Sequence, residues 1–158
     1  VICFEEMKSP IGRLTLVVDD EVVTFIAMEH QAHLPDRATF GQKKRGCAKE
    51  MSDHLEAYFA GEITEFPGVT VGRGTAFEQT VWNALLEIPY GATSTYGAIA
   101  KQIGNPKAVR AVGGAIGRNP LSIVVPCHRV IGASGKLTGY AGGLDRKVFL
   151  LRHEGVSV

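Results

Sequence analysis

The chain has 158 residues, a formal net charge of +1 and a 45% hydrophobic fraction, which suits one compact domain or two small lobes. No apolar run is long enough to span a bilayer and no charged-then-apolar leader resembles a signal peptide, so a cytoplasmic protein with no membrane partner is expected. Three widely spaced cysteines, Cys3, Cys47 and Cys127, argue against a disulfide framework; a zinc site drawn from Cys3, Cys47, His30, His33 and His54 fits no ligand spacing, and neither metal nor cofactor is expected.

The first third reads as β-structure. "VICFEEM", "GRLTLVV" and "EVVTFIAM" are β-branched or aromatic runs, separated by the turn chemistry of Ser9-Pro10-Ile11-Gly12 and Asp19-Asp20. They predict a small antiparallel meander. Residues 30–47, polar and Lys-containing, read as a loop. "AKEMSDHLEAYFAG" predicts an amphipathic helix with Met51, Leu55, Tyr58 and Phe59 on one face and Gly61 just beyond it. "TEFPGVTVGRG" reads as a linker or edge strand and marks the boundary between a β-rich lobe, residues 1–72, and a carboxy-terminal lobe, residues 73–158.

The second half reads as helical. Thr75-x-x-Glu78 is a capping box opening a helix with Phe77, Val81, Leu85 and Ile88 on one face, ended by Pro89; Trp82 is assigned to the core. "TSTYGAIAKQIG" predicts a short helix capped by Ser94 or Thr95 and closed by Gly104. Asn105-Pro106 then reads as N-cap and first residue of the helix "KAVRAVGGAIGRN". Together with the β-rich lobe this predicts an α+β fold with a helix-turn-helix in its helical lobe.

Charge divides along the chain. Residues 1–87 hold 8 basic and 14 acidic side chains, residues 88–158 hold 9 and 2. No carboxylate lies between Glu87 and Asp145, whereas Lys101, Lys107, Arg110, Arg118, Arg129 and Lys136 do. A plain αα-hairpin with a solvated basic face would account for this, but the basic context favours nucleic acid. The second helix of the pair is nearly bare of bulk at Ala108, Ala111, Gly113, Gly114, Ala115 and Gly117, with Arg110 its one large side chain in the middle. Two adjacent glycines cost roughly 1 kcal/mol each against alanine. Close approach to another surface, such as a narrow minor groove, is the usual reason for accepting that cost.

The stretch "VVPCHRVIG" sets Cys127 beside His128, with Arg129 adding positive charge. A thiol must lose its proton to attack, and so needs a base that is itself oriented. Chain neighbours on a strand point apart, so a bend after Pro126 or a bridging water would be needed to link them. Glu154 is the candidate orienter. An acid at the C-terminus of the helix "LDRKVFLLRHEG" opposes the macrodipole, and pairing with His128 would offset that. The Cys-His pair alone does not separate a nucleophile from core packing.

"IVVPCHRVIG", "TSTYGAIA", "NPKAVRAVGGAIGRNP", "TGYAGGLDRK" and "LLRHEG" together, in this order, resemble the O6-alkylguanine-DNA alkyltransferases (methylated-DNA–protein-cysteine methyltransferases). The resemblance covers residues 75–155 strongly and implies direct-reversal DNA repair. An O6-alkylguanine, or an O4-alkylthymine, would be flipped from double-stranded DNA. Its alkyl group would pass irreversibly to Cys127 in a single turnover, with no cofactor, by a monomer bound in the minor groove. It further implies a relay from Cys127 through water to His128 and Glu154, with Tyr96 as proton donor to the departing guanine. Arg110 would fill the gap in the stack, with Ala111, Gly113, Gly114, Lys107 and Arg118 on the DNA. Asn119 would tie the turn before the active site to the recognition helix, and Val130, Tyr140 and Ala141 would line the base pocket. Ala141 departs from the serine of many members, and Ser122 from a second proline in some. A lesion-independent helix-turn-helix binder and a Cys-His-Glu hydrolase or acyltransferase remain as alternatives; zero, one or many groups transferred per chain separates the three.

Overall fold

A computed structural model describes residues 1–158 and divides them into two compact units, residues 1–69 with 120–122, and residues 70–119 with 123–158. No helix is long and apolar enough to cross a membrane.

The first unit is a four-stranded sheet, a helix and connecting turns. Strands β1 (Ile2–Met7), β2 (Leu14–Asp19) and β3 (Val22–Met28) form the expected meander, with Met7 opposite Leu14 and Leu14 opposite Met28. In the sheet β2 lies between β1 and β3, and residues 14–18 are all buried, which explains its unbroken "LTLVV" run. Residues 30–47 are not the plain polar loop expected. A 3₁₀ turn at Arg37–Phe40 is capped by Asp36, and a short strand β4 (Gln42–Lys43) pairs parallel with β1. Phe40 anchors the segment: it is buried, stacks on Phe25 and meets the Phe4 ring edge-on. Helix α1 (Lys49–Phe59) buries Ser52, Leu55 and Tyr58, leaving Met51 and Phe59 half-buried at the margins of that stripe. Residues 120–122 join this unit, where the Ile26 amide donates to the Pro120 carbonyl at 2.8 Å.

The second unit is helical. Helix α2 (Ala76–Leu85) opens on the Thr75/Glu78 capping box and buries Val81, Trp82, Ala84 and Leu85. It stops four residues short of Pro89, because tightened bonds from Glu87 to Ala84 and from Ile88 to Leu85 close it first. Trp82 is core, its indole N–H donating to the Ala115 carbonyl at 2.8 Å.

A short strand β5 (Ser94–Thr95) leads into α3 (Tyr96–Gln102), capped by Thr95. Helix α4 (Val109–Gly117) begins later than Asn105-Pro106 predicts. The Asn105 amide is already bound to the Ala100 carbonyl as α3 closes on Gly104 (φ +78°), and Asn105 O then accepts from Ala108 in a separate turn. The α3–α4 pair is the helix-turn-helix. Strand β6 (Val130–Ile131) pairs parallel with β5, and α5 (Leu144–His153) packs Lys147, Leu150 and Leu151 inward before Gly155 (φ +87°) ends it.

Candidate active site

Cys127, His128 and Arg129 form one turn of 3₁₀ helix, not the strand that "VVPCHRVI" suggests. Pro126 (φ −81°, ψ 64°) is the centre of an inverse γ-turn closed by Cys127 N–H to Val125 O at 2.8 Å. The bend after Pro126 is therefore present, and it removes the opposed geometry of strand neighbours. The β5–β6 pairing sets Ser94 beside Val130 and Thr95 beside Ile131, which carries Tyr96 to the edge of this turn. Just upstream, Ile123 has φ +76°, an uncommon conformation for a β-branched residue, in a wholly buried run from 121 to 130.

The polar cluster below the turn is dry and closely paired. His128 Nε2 bonds Glu154 Oε2 at 2.8 Å, and both side chains have zero exposure. Arg129 grips the same carboxylate with two arms, Nε to Oε1 at 2.7 Å and Nη2 to Oε2 at 3.0 Å, and donates Nη1 to the Ile88 carbonyl at 2.6 Å. Its guanidinium also lies 5.8 Å from the centre of the Tyr90 ring. An ionised carboxylate only accepts, so His128 Nε2 carries the proton and Nδ1 keeps its lone pair. Nδ1 is buried with no partner.

Electrostatics favour the neutral imidazole. Burial pushes the His128 imidazole below its ordinary value of 6.5; Glu154 opposes this, while Arg129 and Lys147 reinforce it. His128 is therefore neutral at pH 7 and able to accept a proton. Burial pushes the Cys127 thiol up, against the Asn119 amide, the Lys147 ammonium and the amides of Cys127 and His128, which all favour the thiolate. Cys127 thus stays a protonated thiol at rest, on the same 3₁₀ turn as a neutral imidazole with a free lone pair.

The remaining predicted residues fall into two groups. Around the thiol, Asn119 is buried and its amide donates to Val125 O at 2.8 Å, holding the bend. The Tyr96 hydroxyl and Thr138 Oγ1 are 3.0 Å apart. Val130 is fully buried and its carbonyl accepts from Lys147 Nζ at 2.6 Å. Tyr140 has a buried hydroxyl beside Cys127 without a well-formed hydrogen bond, and Ala141 is half-buried. On the outer face of the helix-turn-helix, Lys107, Arg110 and Ala111 are exposed and Gly113 and Gly114 half-buried. Arg118 is exposed too, but its Nε bonds Glu78 Oε2 at 2.6 Å and its guanidinium lies over Gly114. A methyl group at Gly113 would make only ordinary contact with the Tyr96 ring, and none lies near Gly117. Packing inside the chain therefore does not demand glycine at 113 or 117, whereas a methyl group at Gly114 would come within 3.2 Å of Arg118 Nη1.

Two residues escape the sequence reading. Arg129 reads there as a loose positive charge and is instead 8% exposed and bidentate on Glu154. Lys147 is 1% exposed and ties Val130 O to Thr138 O through Nζ. Its signal was present in the helical stripe Lys147, Leu150, Leu151, Glu154, which puts the lysine on the buried face.

Comparison with known proteins points the same way over both halves. Residues 2–71 match the family model described as 6-O-methylguanine DNA methyltransferase, ribonuclease-like domain. Residues 76–156 match the one described as 6-O-methylguanine DNA methyltransferase, DNA binding domain. The chain is 54% identical to the methylated-DNA–protein-cysteine methyltransferase of Methanosarcina acetivorans over 94% of its own length and 95% of the relative's. It is also 54% identical to that of Mycobacterium tuberculosis, over 98% and 93%. Among solved structures it is similar to the Mycobacterium tuberculosis O6-methylguanine methyltransferase, with TM-score 0.89 and 53% identity over 98% of this chain and 93% of that one. It is likewise similar to the Mycobacterium tuberculosis OGT in complex with DNA, with TM-score 0.88 and 52% identity over 96% and 92%.

Proposed function

Since the chain belongs to the 6-O-methylguanine DNA methyltransferase family, we propose that Cys127 is the alkyl-accepting residue of its site and that His128, held by Glu154, takes its proton. The protein binds double-stranded DNA and repairs O6-alkylguanine by direct reversal, taking the alkyl group onto its own cysteine and ending its working life in one turnover. The observation that carries the residue assignment is the free lone pair of His128 Nδ1, fixed by the Nε2–Glu154 bond, in the same 3₁₀ turn as the thiol.

In the proposed step the Cys127 proton passes through a water to His128 Nδ1. The thiolate attacks the alkyl carbon in line with the C–O6 bond; the C–S bond forms as C–O6 breaks, and the electron pair leaves on the guanine. Tyr96 supplies a proton to the departing base, so that guanine and not its anion is released, a contribution worth about 10²–10⁴-fold for a well-placed general acid. The Asn119 amide and the backbone amides of Cys127 and His128, with the positive charge of Lys147 nearby, stabilise the thiolate until transfer. Tyr140, Ala141 and Val130 line the pocket for the flipped base.

We assign DNA contact to the exposed face of the helix-turn-helix, Lys107, Arg110, Ala111, Gly113, Gly114 and Arg118, in the minor groove and by one copy of the chain. The bare surface of α4 supports that groove, since Gly113 and Gly117 have room for a methyl group that packing within the chain does not exclude. Arg118 would first have to leave or share Glu78. O4-alkylthymine is proposed as a second substrate of the same pocket. Intact-mass measurement after incubation with duplex DNA holding O6-methylguanine tests the reading. One methyl mass on the peptide containing Cys127 is expected; none, or a methyl on Cys3 or Cys47, would overturn it.

A further inference from the structure

The guanidinium of Arg129 binds the buried Glu154 carboxylate directly through two arms, Nε at 2.7 Å and Nη2 at 3.0 Å. Its third arm is held by Ile88 O at 2.6 Å and its face by the Tyr90 ring, so the fork cannot swing away. With His128 neutral, the charges of Glu154 and Arg129 cancel and the buried triple is neutral. Without Arg129, the same His128–Glu154 pair would carry a net negative charge with no exposure to water, and one added proton would remove it. That proton would be shared by imidazole and carboxylate, and it would occupy the base before the thiol could use it.

We propose that Arg129 is a positioning residue of the transfer reaction: its two-armed hold aims the Glu154 carboxylate at His128 Nε2 and balances its charge, which leaves Nδ1 unprotonated at neutral pH. The inference rests on the reading of His128 as the base for Cys127. The charged groups that act on His128 are Arg129 on its own turn, Glu154 at the C-cap of α5 and Lys147 from α5; the Tyr140 hydroxyl, from the segment before α5, is near Cys127, Arg146 and Glu154, and the Tyr90 hydroxyl, beyond α2, is near Glu154 and Arg129. Lys147 acts in the same direction as Arg129 on the imidazole, but its Nζ is committed to Val130 O and Thr138 O and makes no bond to Glu154.

The test is the imidazole titration of His128, followed by ring nitrogen NMR in the intact protein, for wild type, Arg129→Met, Arg129→Gln and Arg129→Lys, with His128→Gln to assign the signal. Both neutral variants should move the midpoint upward by about one pH unit or more, and move the acid limb of single-turnover transfer with it. Arg129→Lys keeps the charge and loses the fork, so its midpoint should stay near wild type while transfer slows several-fold. A folded Arg129→Met or Arg129→Gln with the wild-type midpoint overturns the proposal. If neither neutral variant folds, a shifted midpoint in Arg129→Lys, or wild-type transfer by it, overturns it instead. The titration needs no DNA, so a failure of the Arg129 role is distinct from a failure of the repair reading, which the methyl mass on Cys127 reports by itself.

Discussion

His128 Nε2 reaches Glu154 Oε2 at 2.8 Å across 26 positions of sequence, from a 3₁₀ turn to the C-cap of α5. The helix dipole disfavours a carboxylate there, and Arg152 and His153 in the last turn suit it better. Three donated hydrogen bonds from His128 and Arg129 offset that cost and make Glu154 the hub of the site.

Glu154→Gln should therefore be costly to the fold as well as to transfer. It leaves Arg129, 8% exposed, as a buried charge without its partner. Breaking such a pair costs about 3–5 kcal/mol. Arg129→Met combined with Glu154→Gln buries no lone charge and should be less destabilised than the sum of the single variants. Urea unfolding of the four proteins gives the coupling; additive values would show that the ion pair contributes nothing.

The thiol is the second point of test. Cys127→Ala should abolish methyl transfer and retain DNA binding, because the small side chain fills the same core position without touching α4. Intact mass after exposure to O6-methylguanine duplex, with a gel-shift on the same sample, reads both. Residual methylation of the variant would place the acceptor elsewhere.

Stability should fall on mild acidification for a reason specific to His128. Its folded imidazole is held below the ordinary 6.5, so in the window under 6.5 the unfolded chain binds a proton that the folded one refuses. The contribution is fully present above 6.5 and is lost as pH falls toward the folded value. His128→Gln should flatten the dependence of unfolding free energy on pH in that window. An identical slope in the two proteins would mean that His128 is not buried in its neutral form.

Much of this was legible in the chain. The three strands announced themselves as β-branched runs between turn residues, and Thr75-x-x-Glu78 as a capping box, because both signals are local. Cys127, His128 and Glu154 could be nominated because an acid at a helix C-terminus is out of place. Arg129 and Lys147 could not be given their buried partners, since charged side chains are rarely buried and only the tertiary fold supplies the Glu154 carboxylate, Val130 O and Thr138 O to them. Asn105-Pro106 misled for a related reason: Asn105 N–H was already spent on closing α3. The order within residues 30–47 has no local signal either, because Phe40 is held only by Phe4 and Phe25, which are distant in sequence.

Charge on the exposed face should show as salt dependence. Lys101, Lys107, Arg110 and Lys136 are all exposed in the stretch that holds no carboxylate. If they neutralise phosphates, log affinity should fall linearly with log salt, and each Lys→Ala should reduce the slope by about one unit. Arg118→Ala should change it less, because its guanidinium already bonds Glu78 at 2.6 Å. A flat response between low and physiological salt would remove the phosphate contacts.

Arg110 differs from those cations in where it stands. It is the only long side chain in the middle of α4, flanked by Val109 and Ala111 and followed by Gly113 and Gly114, and it is exposed. A side chain so placed can enter the stack when a base leaves it, whereas its neighbours are too short. Arg110→Ala should then slow repair of a lesion inside duplex DNA and leave reaction with free O6-benzylguanine almost unchanged, if that base fits the pocket, because nothing has to be unstacked. Loss of a phosphate contact would also weaken duplex binding, but saturating protein would restore the rate. Loss of flipping would survive saturation, since the bound complex still holds its base in the duplex, at a cost of a few kcal/mol to extrude. Single-turnover rates at saturation on the two substrates separate these outcomes. Equal slowing on duplex and free base would mean that Arg110 acts on the pocket and not on the stack.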